Sequence, residues 1–311
     1  CLHSLVSIDY PREKLQIIII DDASTDGSGA WLDTFQTGYP HVVLFHLYNE
    51  KEKPGKAGAL LKGIDAASGE IIFITDADCR VPKTWVKALL RVFDDQTGLT
   101  GGFTILQSAR NKKQTGWKAG QTLELMFLQS IAFVFARLHH PVSWLGNNIA
   151  FRRAAYDEVG GFRHIQETLV EDYALIHAIH QRTYWKIRFS LHIEASIKSE
   201  PVKNMRALYR QRKRWASDRK NLPYYALPVM VLNYLTRSLL ILALLFLPLY
   251  VALSAVLVVL VFDFIFIAKP SSIFKVRSWA KYFLHCEFIY LLTTFLFPFF
   301  FLFDKKVNWK E

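Results

Sequence analysis

Three cysteines in 311 residues, Cys1, Cys79 and Cys286, are too few for a disulfide framework and suit a reducing compartment. No His-Glu-x-x-His pair or cysteine cluster accompanies His177 and His180, so both read as structural rather than zinc-binding. Gly27-Ser-Gly29 lacks the third glycine and the acidic partner of a dinucleotide fingerprint, which argues against NAD. No internal repeat and no low-complexity tract interrupts the chain. It opens at Cys1 with neither methionine nor signal peptide, and Leu2–Tyr10 reads as the interior of a helix, so an N-terminal portion is expected to be missing. Acidic charge is the scarcer sign, 27 residues against 38 basic ones, for a net charge of +11. Nine Lys or Arg and two acidic residues lie between Lys198 and Lys220. With no zinc-finger or RNP-like pattern nearby, the expected partner is an anionic membrane surface and not nucleic acid.

Long apolar runs are abundant at one end. From Ala226 to Ala268 the only formal charges are Arg237 and Asp263, and from Tyr282 to Phe303 only Glu287. A helix crosses a bilayer with roughly 20 apolar residues. As one helix the first run would measure about 64 Å, twice a hydrocarbon core, so two spans broken near Pro248 are expected. The loop Lys269–Lys281 carries four basic residues and is assigned to the cytoplasmic side, which leaves Lys305, Lys306 and Lys310 outside. The resulting division is a catalytic domain over residues 1–222, with a basic interfacial segment at 198–222. A membrane region over 223–311 follows, with helices at 226–247, 249–268 and 282–303.

The front part reads as α/β. Leu15–Ile20 and Ile71–Thr75 are short, wholly apolar and β-branched, as strands buried on both faces are. Helices are expected at Gly29–Gln36, Lys56–Ala67, from Pro82, at Ala119–Arg137, Arg152–Gly161 and Val170–Ile179. Further strands are expected at Val42–Leu47 and Leu99–Leu106, with strand or loop at Asn147–Phe151. The alternation predicts a mostly parallel, Rossmann-like sheet flanked by helices. Two strands end in carboxylates, Asp21-Asp22 and Asp76-Ala77-Asp78, and ligands bind beyond the carboxyl ends of such strands.

Each candidate has a plain structural explanation beside a chemical one. Asp76 and Asp78 suit a hard divalent cation, Mg2+ or Mn2+, that neutralises a diphosphate; a solvated turn is the plain alternative. One of Asp21 and Asp22 caps the turn that follows, and the other is free to accept from a nucleobase N–H. Lys56, at a helix start, suits a phosphate or is a surface lysine; without a following Ser or Thr it is no P-loop. Glu171-Asp172 is either a helix-start acidic pair or holds a general base in an apolar setting. In Gln211-Arg-Lys-Arg-Trp215 the cations suit diphosphate oxygens and the indole suits a sugar face, or the segment is a basic helix on a membrane.

Taken together these pieces resemble the family 2 glycosyltransferases with a GT-A fold, and more narrowly the membrane synthases of cellulose, chitin, hyaluronan and poly-N-acetylglucosamine. The matching stretches are IIIIDDASTDGS at Ile17–Ser28, FITDADCRVP at Phe73–Pro82, GNNIAFRRAAYDEVGGF at Gly146–Phe162, VEDYAL at Val170–Leu175 and QRKRW at Gln211–Trp215. The resemblance implies that Asp22 contacts the uracil of a UDP-sugar and that Asp76 and Asp78 serve metal and diphosphate. It implies that Asp172 is the general base and that Gln211, Arg214 and Trp215 contact diphosphate and acceptor sugar. The implied reaction is a single inverting displacement onto a glycan or lipid-linked acceptor at the cytoplasmic face of the cell membrane, building a β-glycan or adding one sugar to a lipid. A non-catalytic scaffold keeping the fold is the rival from another class. Val170 replaces the threonine of the family's TED motif, and the loop that usually helps hold the nucleotide is absent.

Overall fold

The computed structural model describes residues 1–48, 55–108, 115–165, 171–216 and 223–302. Its elements begin with α1 (Leu2–Leu5), β1 (Ile17–Asp21), α2 (Ser28–Gly38), β2 (Val42–His46), α3 (Gly55–Ala66), β3 (Ile71–Ile74) and α4 (Trp85–Leu90). Then come β4 (Thr97–Gly101), β5 (Thr104–Leu106), α5 (Gly116–Arg137), β6 (Ile149–Arg152), α6 (Arg153–Glu158), α7 (Gly161–His164) and α8 (Glu171–Arg182). The chain continues with β7 (Lys186–Phe189), β8 (Ile197–Ser199), α9 (Met205–Ala216), α10 (Leu227–Phe246), α11 (Leu249–Ile273) and α12 (Phe283–Leu302).

By packing, the chain divides into two compact units, and the division does not follow the composition step at residue 222. One unit comprises Cys1–Phe103 and Ser143–Ile197, the other Thr104–Val142 and Lys198–Glu311.

In the first unit β1 and β2 pair in parallel, Ile17 opposite Val42 through Asp21 opposite His46. The second sheet runs in the order β3-β6-β4-β7. It is mixed where a mostly parallel sheet was expected: β6 runs antiparallel to both β3 and β4, while β4 and β7 are parallel. Apolar β-branched runs do not encode strand direction, so the sequence pattern could not separate the two cases. α4 starts at Trp85, three residues after the proline expected to open it, and buries Trp85, Val86, Ala88 and Leu89 against Cys79, Val81 and Ala150. Between β4 and β5 the expected continuous strand is interrupted at Gly102, where a Cβ would stand 2.1 Å from the Ala195 carbonyl oxygen.

In the second unit α5 is apolar but largely buried, and it packs along α12. Gly116 and Gly120 allow the approach, since a Cβ at Gly120 would stand 2.8 Å from the His285 carbonyl oxygen. The polar side chains of α5 are satisfied within this unit: Gln121 Nε2 donates to Val202 O at 3.1 Å, and Gln129 Nε2 to Thr104 O at 3.0 Å. α10 ends at Phe246 and α11 begins at Leu249 with Pro248 as its N-cap, so the expected break falls where proline puts it. α11 runs on to Ile273, past the loop start expected at Lys269. Three charges of these apolar helices find one another: Arg237 of α10 pairs with Asp263 of α11 and, at 3.3 Å, with Glu287 of α12. An unpaired charge in such surroundings would cost several kcal/mol.

Candidate functional site

Both aspartate pairs fall at strand ends, as the apolar runs before them require. Asp21, the last residue of β1, is buried. Its Oδ1 accepts the Ser24 N–H at 3.1 Å, and its Oδ2 lies 2.8 Å from His46 Nδ1 on the adjacent strand. His46 Nε2 in turn reaches Asp33 at 3.1 Å. Burial pushes the Asp21 carboxyl up, but Ser24 and His46 outweigh it and hold it below its ordinary value. The same contacts, with Asp21 first and Asp33 second, raise His46 above its ordinary 6.5. Asp21 is therefore the aspartate that builds the turn. Asp22 follows it, partly exposed, and the next residue, Ala23, is held at φ 55°, in the left-handed region.

Lys56 stands in the first turn of α3, and its Nζ is 2.7 Å from Asp76 Oδ1 in the turn after β3. Burial alone would pull this ammonium down, but Asp76, then Asp172 and Glu171, raise it above its ordinary value. The plain reading of Lys56 as a surface lysine does not hold, for its side chain is only 24% exposed. α8 begins at Glu171, so the acidic pair occupies its first turn, where the helix dipole favours negative charge. Burial raises the Asp172 carboxyl, opposed by Lys56 and by the backbone N–H groups of Tyr173 and Gly146. Asp172 Oδ1 accepts the Tyr173 N–H at 2.9 Å, and its Oδ2 accepts the Gly146 N–H.

The fold thus gathers Lys56, Asp76, Glu171 and Asp172 into one charged group from three separate stretches of sequence. Asp78, two residues beyond Asp76, accepts the Cys79 thiol at 3.2 Å. That thiol is fully buried and pushed up to about 12 by burial, then by Asp78. Among the described residues, no group of three or more His, Cys, Asp or Glu forms a metal cage.

Gln211, Arg214 and Trp215 lie on α9 in the second unit. There Arg212 stands over the Trp215 ring, 4.2 Å from its centroid, and pairs with the buried Glu124 of α5. Glu124 drew no notice in the sequence because it sits singly in an apolar helix. Gly146 and Asn148 also went unassigned, and only the fold reveals what they touch. Asn148 is fully buried: its Oδ1 accepts Trp85 Nε1 at 2.8 Å, and its Nδ2 donates to Phe103 O and Ala195 O, both at 3.0 Å.

Comparison with known proteins bears on this arrangement. The family described as Glycosyl transferase family 2 matches residues 1–160. The chain is 28% identical over 218 residues to the Beta-monoglucosyldiacylglycerol synthase of Synechocystis sp. (strain ATCC 27184 / PCC 6803 / Kazusa), covering 69% of this chain and 43% of that protein. It is 27% identical over 228 residues to the Probable glycosyltransferase YdaM of Bacillus subtilis (strain 168), covering 69% of this chain and 50% of that one. The chain spans about half the length of the curated relatives it matches. Among solved structures, the mannosyltransferase PcManGT from Pyrobaculum calidifontis, in complex with GDP-Man and Mn2+, superposes with a TM-score of 0.57 at 18% identity. That match covers 98% of this chain and 83% of the other, and at such identity it shows the fold alone, an α/β architecture of GT-A type. With the family match spanning just over half of its residues, the chain belongs to glycosyl transferase family 2.

Proposed function

We propose that the protein transfers a sugar, with inversion, from a UDP-sugar to a glycan or lipid-linked acceptor at the cytoplasmic face of a membrane. The observation that carries this reading is Asp172, a carboxylate held by two backbone N–H groups beside Lys56 and Asp76. A half-buried carboxyl raised by desolvation suits a general base that takes the proton of an attacking hydroxyl. Lys56 supplies fixed positive charge where a diphosphate leaves, in a poorly solvated site where such charge counts most. Asp22, next to the turn that Asp21 builds, accepts from a base N–H of the nucleotide. The family resemblance assigns Gln211 and Arg214 of α9 to the diphosphate and Trp215 to the acceptor sugar, on a ring that Arg212 already covers on one face.

Asp76 and Asp78 fit a divalent cation. Two carboxylates at a strand end, Asp76 with a side chain 37% exposed, match the few protein ligands that Mg2+ or Mn2+ takes when phosphate oxygens complete the shell. Such a cation, when bound, neutralises charge on the diphosphate leaving group. PcManGT was solved with Mn2+ and a nucleotide-sugar, which supports the same expectation here.

Membrane attachment rests on α10 and α11. Both are long and apolar enough to cross a bilayer, and almost none of either is buried, whereas α5 is mostly inside its unit. α10 would span about 30 Å and α11 about 37 Å, against a hydrocarbon core of about 30 Å. α12 is the third expected span; its expected end at residue 303 and the tail lysines lie outside the described residues.

The second reading, addition of one sugar to a lipid, is favoured by one observation: three relatives matched over two thirds of this chain are each named Beta-monoglucosyldiacylglycerol synthase. A panel of radiolabelled nucleotide-sugars offered to the full-length protein in membranes, with Mg2+ and Mn2+ tested separately, decides among these readings. A single-sugar glycolipid supports the second reading, and a polymer supports the first in its form as a transferase that builds a β-glycan. No incorporation from any donor would leave the non-catalytic scaffold standing.

A further inference from the structure

Gly146 is a glycine without a conformational excuse. It is absent from the residues with positive φ, so its backbone suits any side chain. What excludes a side chain is space: a Cβ would stand 2.7 Å from both Cβ and Oδ2 of Asp172 and 2.9 Å from its Cγ. At those distances something must shift, and the atoms it meets belong to the short Asp172 side chain on the first turn of α8, its Cβ included. The same residue donates its N–H to Asp172 Oδ2, while Tyr173 N–H serves Oδ1.

The turn that carries Gly146 is braced from below. Residues Gly146–Asn148 form one 3-10 turn, and its last residue, Asn148, is held by Trp85, Phe103 and Ala195. Two residues before Gly146, Trp144 stacks on Phe189 at 3.8 Å and donates its indole N–H to Gly102 O at 3.0 Å. The Gly146 amide is thereby fixed from both sides before Asp172 meets it. A side chain whose rotamer is set by backbone donors on a rigid turn is the arrangement a pre-aimed catalytic group needs.

We propose that Gly146 is a positioning residue: its backbone N–H and its missing side chain together fix the carboxylate of Asp172 in the orientation that accepts the acceptor hydroxyl proton. The inference rests on Asp172 being the base and adds what aims it. The N–H bond favours the charged form of the carboxylate, as backbone donors do. The absent Cβ lets the donor approach.

Two variants of the full-length protein in membranes test it, assayed with whichever donor the panel identifies. In Gly146→Ala the added methyl displaces the carboxylate. Turnover is expected to fall by about ten-fold to a hundred-fold, since misplacement by about 1 Å costs that much, while the donor KM stays within about two-fold. Should alanine unfold the turn, replacing glycine 146 by glycolic acid through nonsense suppression turns the N–H into an ester oxygen with no added bulk. That variant is expected to lose turnover several-fold and to shift the acidic limb of its kcat profile to higher pH. In an Asp172→Asn background the alanine change is expected to alter the residual rate by less than about two-fold, because neighbours acting as one unit are not additive. Wild-type turnover and an unmoved acidic limb in the ester variant, with Asp172→Asn inactive, would overturn the role of Gly146 alone. An active Asp172→Asn would overturn the assignment of the base and, with it, this inference.

Discussion

At the scale of single residues, the turn after β1 concentrates several opposing demands. Ala23 holds φ 55°, a region that costs a residue with a Cβ roughly 1–2 kcal/mol. Replacing it by glycine relieves that strain but adds unfolded-state entropy of about 0.4–1 kcal/mol. Ala23→Gly is therefore expected to raise stability by about 0.5–1 kcal/mol, read as a higher Tm in thermal unfolding. His46 stands beside Asp21, its Nδ1 2.8 Å from Oδ2. Its folded pKa is raised, so its contribution is fully present below 6.5 and is lost as pH rises through the folded value. Asp21 is depressed, so its share is present above 3.8 and is lost as pH falls through its own folded value. The destabilisation caused by His46→Ala should then be largest between those limits and shrink as pH rises through the raised folded value, which urea titrations at several pH values will read. A cost that grows with rising pH would contradict the pairing.

At the scale of elements, the charges inside the apolar helices matter most. Arg237 is 7% exposed and faces Asp263 and Glu287 from two other helices, with Tyr290 5.1 Å from its guanidinium. Removing one partner of a buried pair costs about 3–5 kcal/mol because it strands the others. Arg237→Met is expected to lower stability by that amount in detergent, whereas Arg237→Met combined with Asp263→Asn and Glu287→Gln recovers most of it. The pair Glu124–Arg212 calls for a like experiment, since Arg212 also covers the Trp215 ring. Glu124→Gln should loosen that indole, read as a shift in Trp215 fluorescence.

Elements also show where sequence patterns suffice. The apolar runs at Ile17–Asp21 and Ile71–Ile74 declare their strands, and the aspartates after them declare strand ends. β7 and β8 are invisible by the same test, because Lys186-Ile-Arg-Phe and Ile197-Lys-Ser are short and alternate with charge. Arg237, Asp263 and Glu287 stand out in the sequence as isolated charges within long apolar runs, yet nothing local says that they meet: 26 and 50 residues separate the partners. Asp172 could be proposed from its motif, but Gly146 could not be tied to it, since the contact crosses 26 residues of chain. Separations of that kind are settled by packing, and packing carries no periodic signature.

At the scale of the whole molecule, α10 and α11 expose an apolar surface. Leu232, Leu245, Phe246, Leu249 and Phe262 are each more than 60% exposed. Contiguous apolar faces of that size mark interaction with a membrane or partner. The protein is expected to sediment with membranes after carbonate washing and to need detergent for release; recovery in the soluble fraction would contradict the spans.

Asp172 is the group proposed to receive the acceptor's proton. The most direct measurement is single-turnover transfer by full-length wild type and Asp172→Asn, with UDP binding measured on the same samples. The account predicts a rate lowered at least about a hundred-fold, as loss of a general base does, with UDP affinity preserved. Transfer at the wild-type rate by the asparagine variant would contradict it.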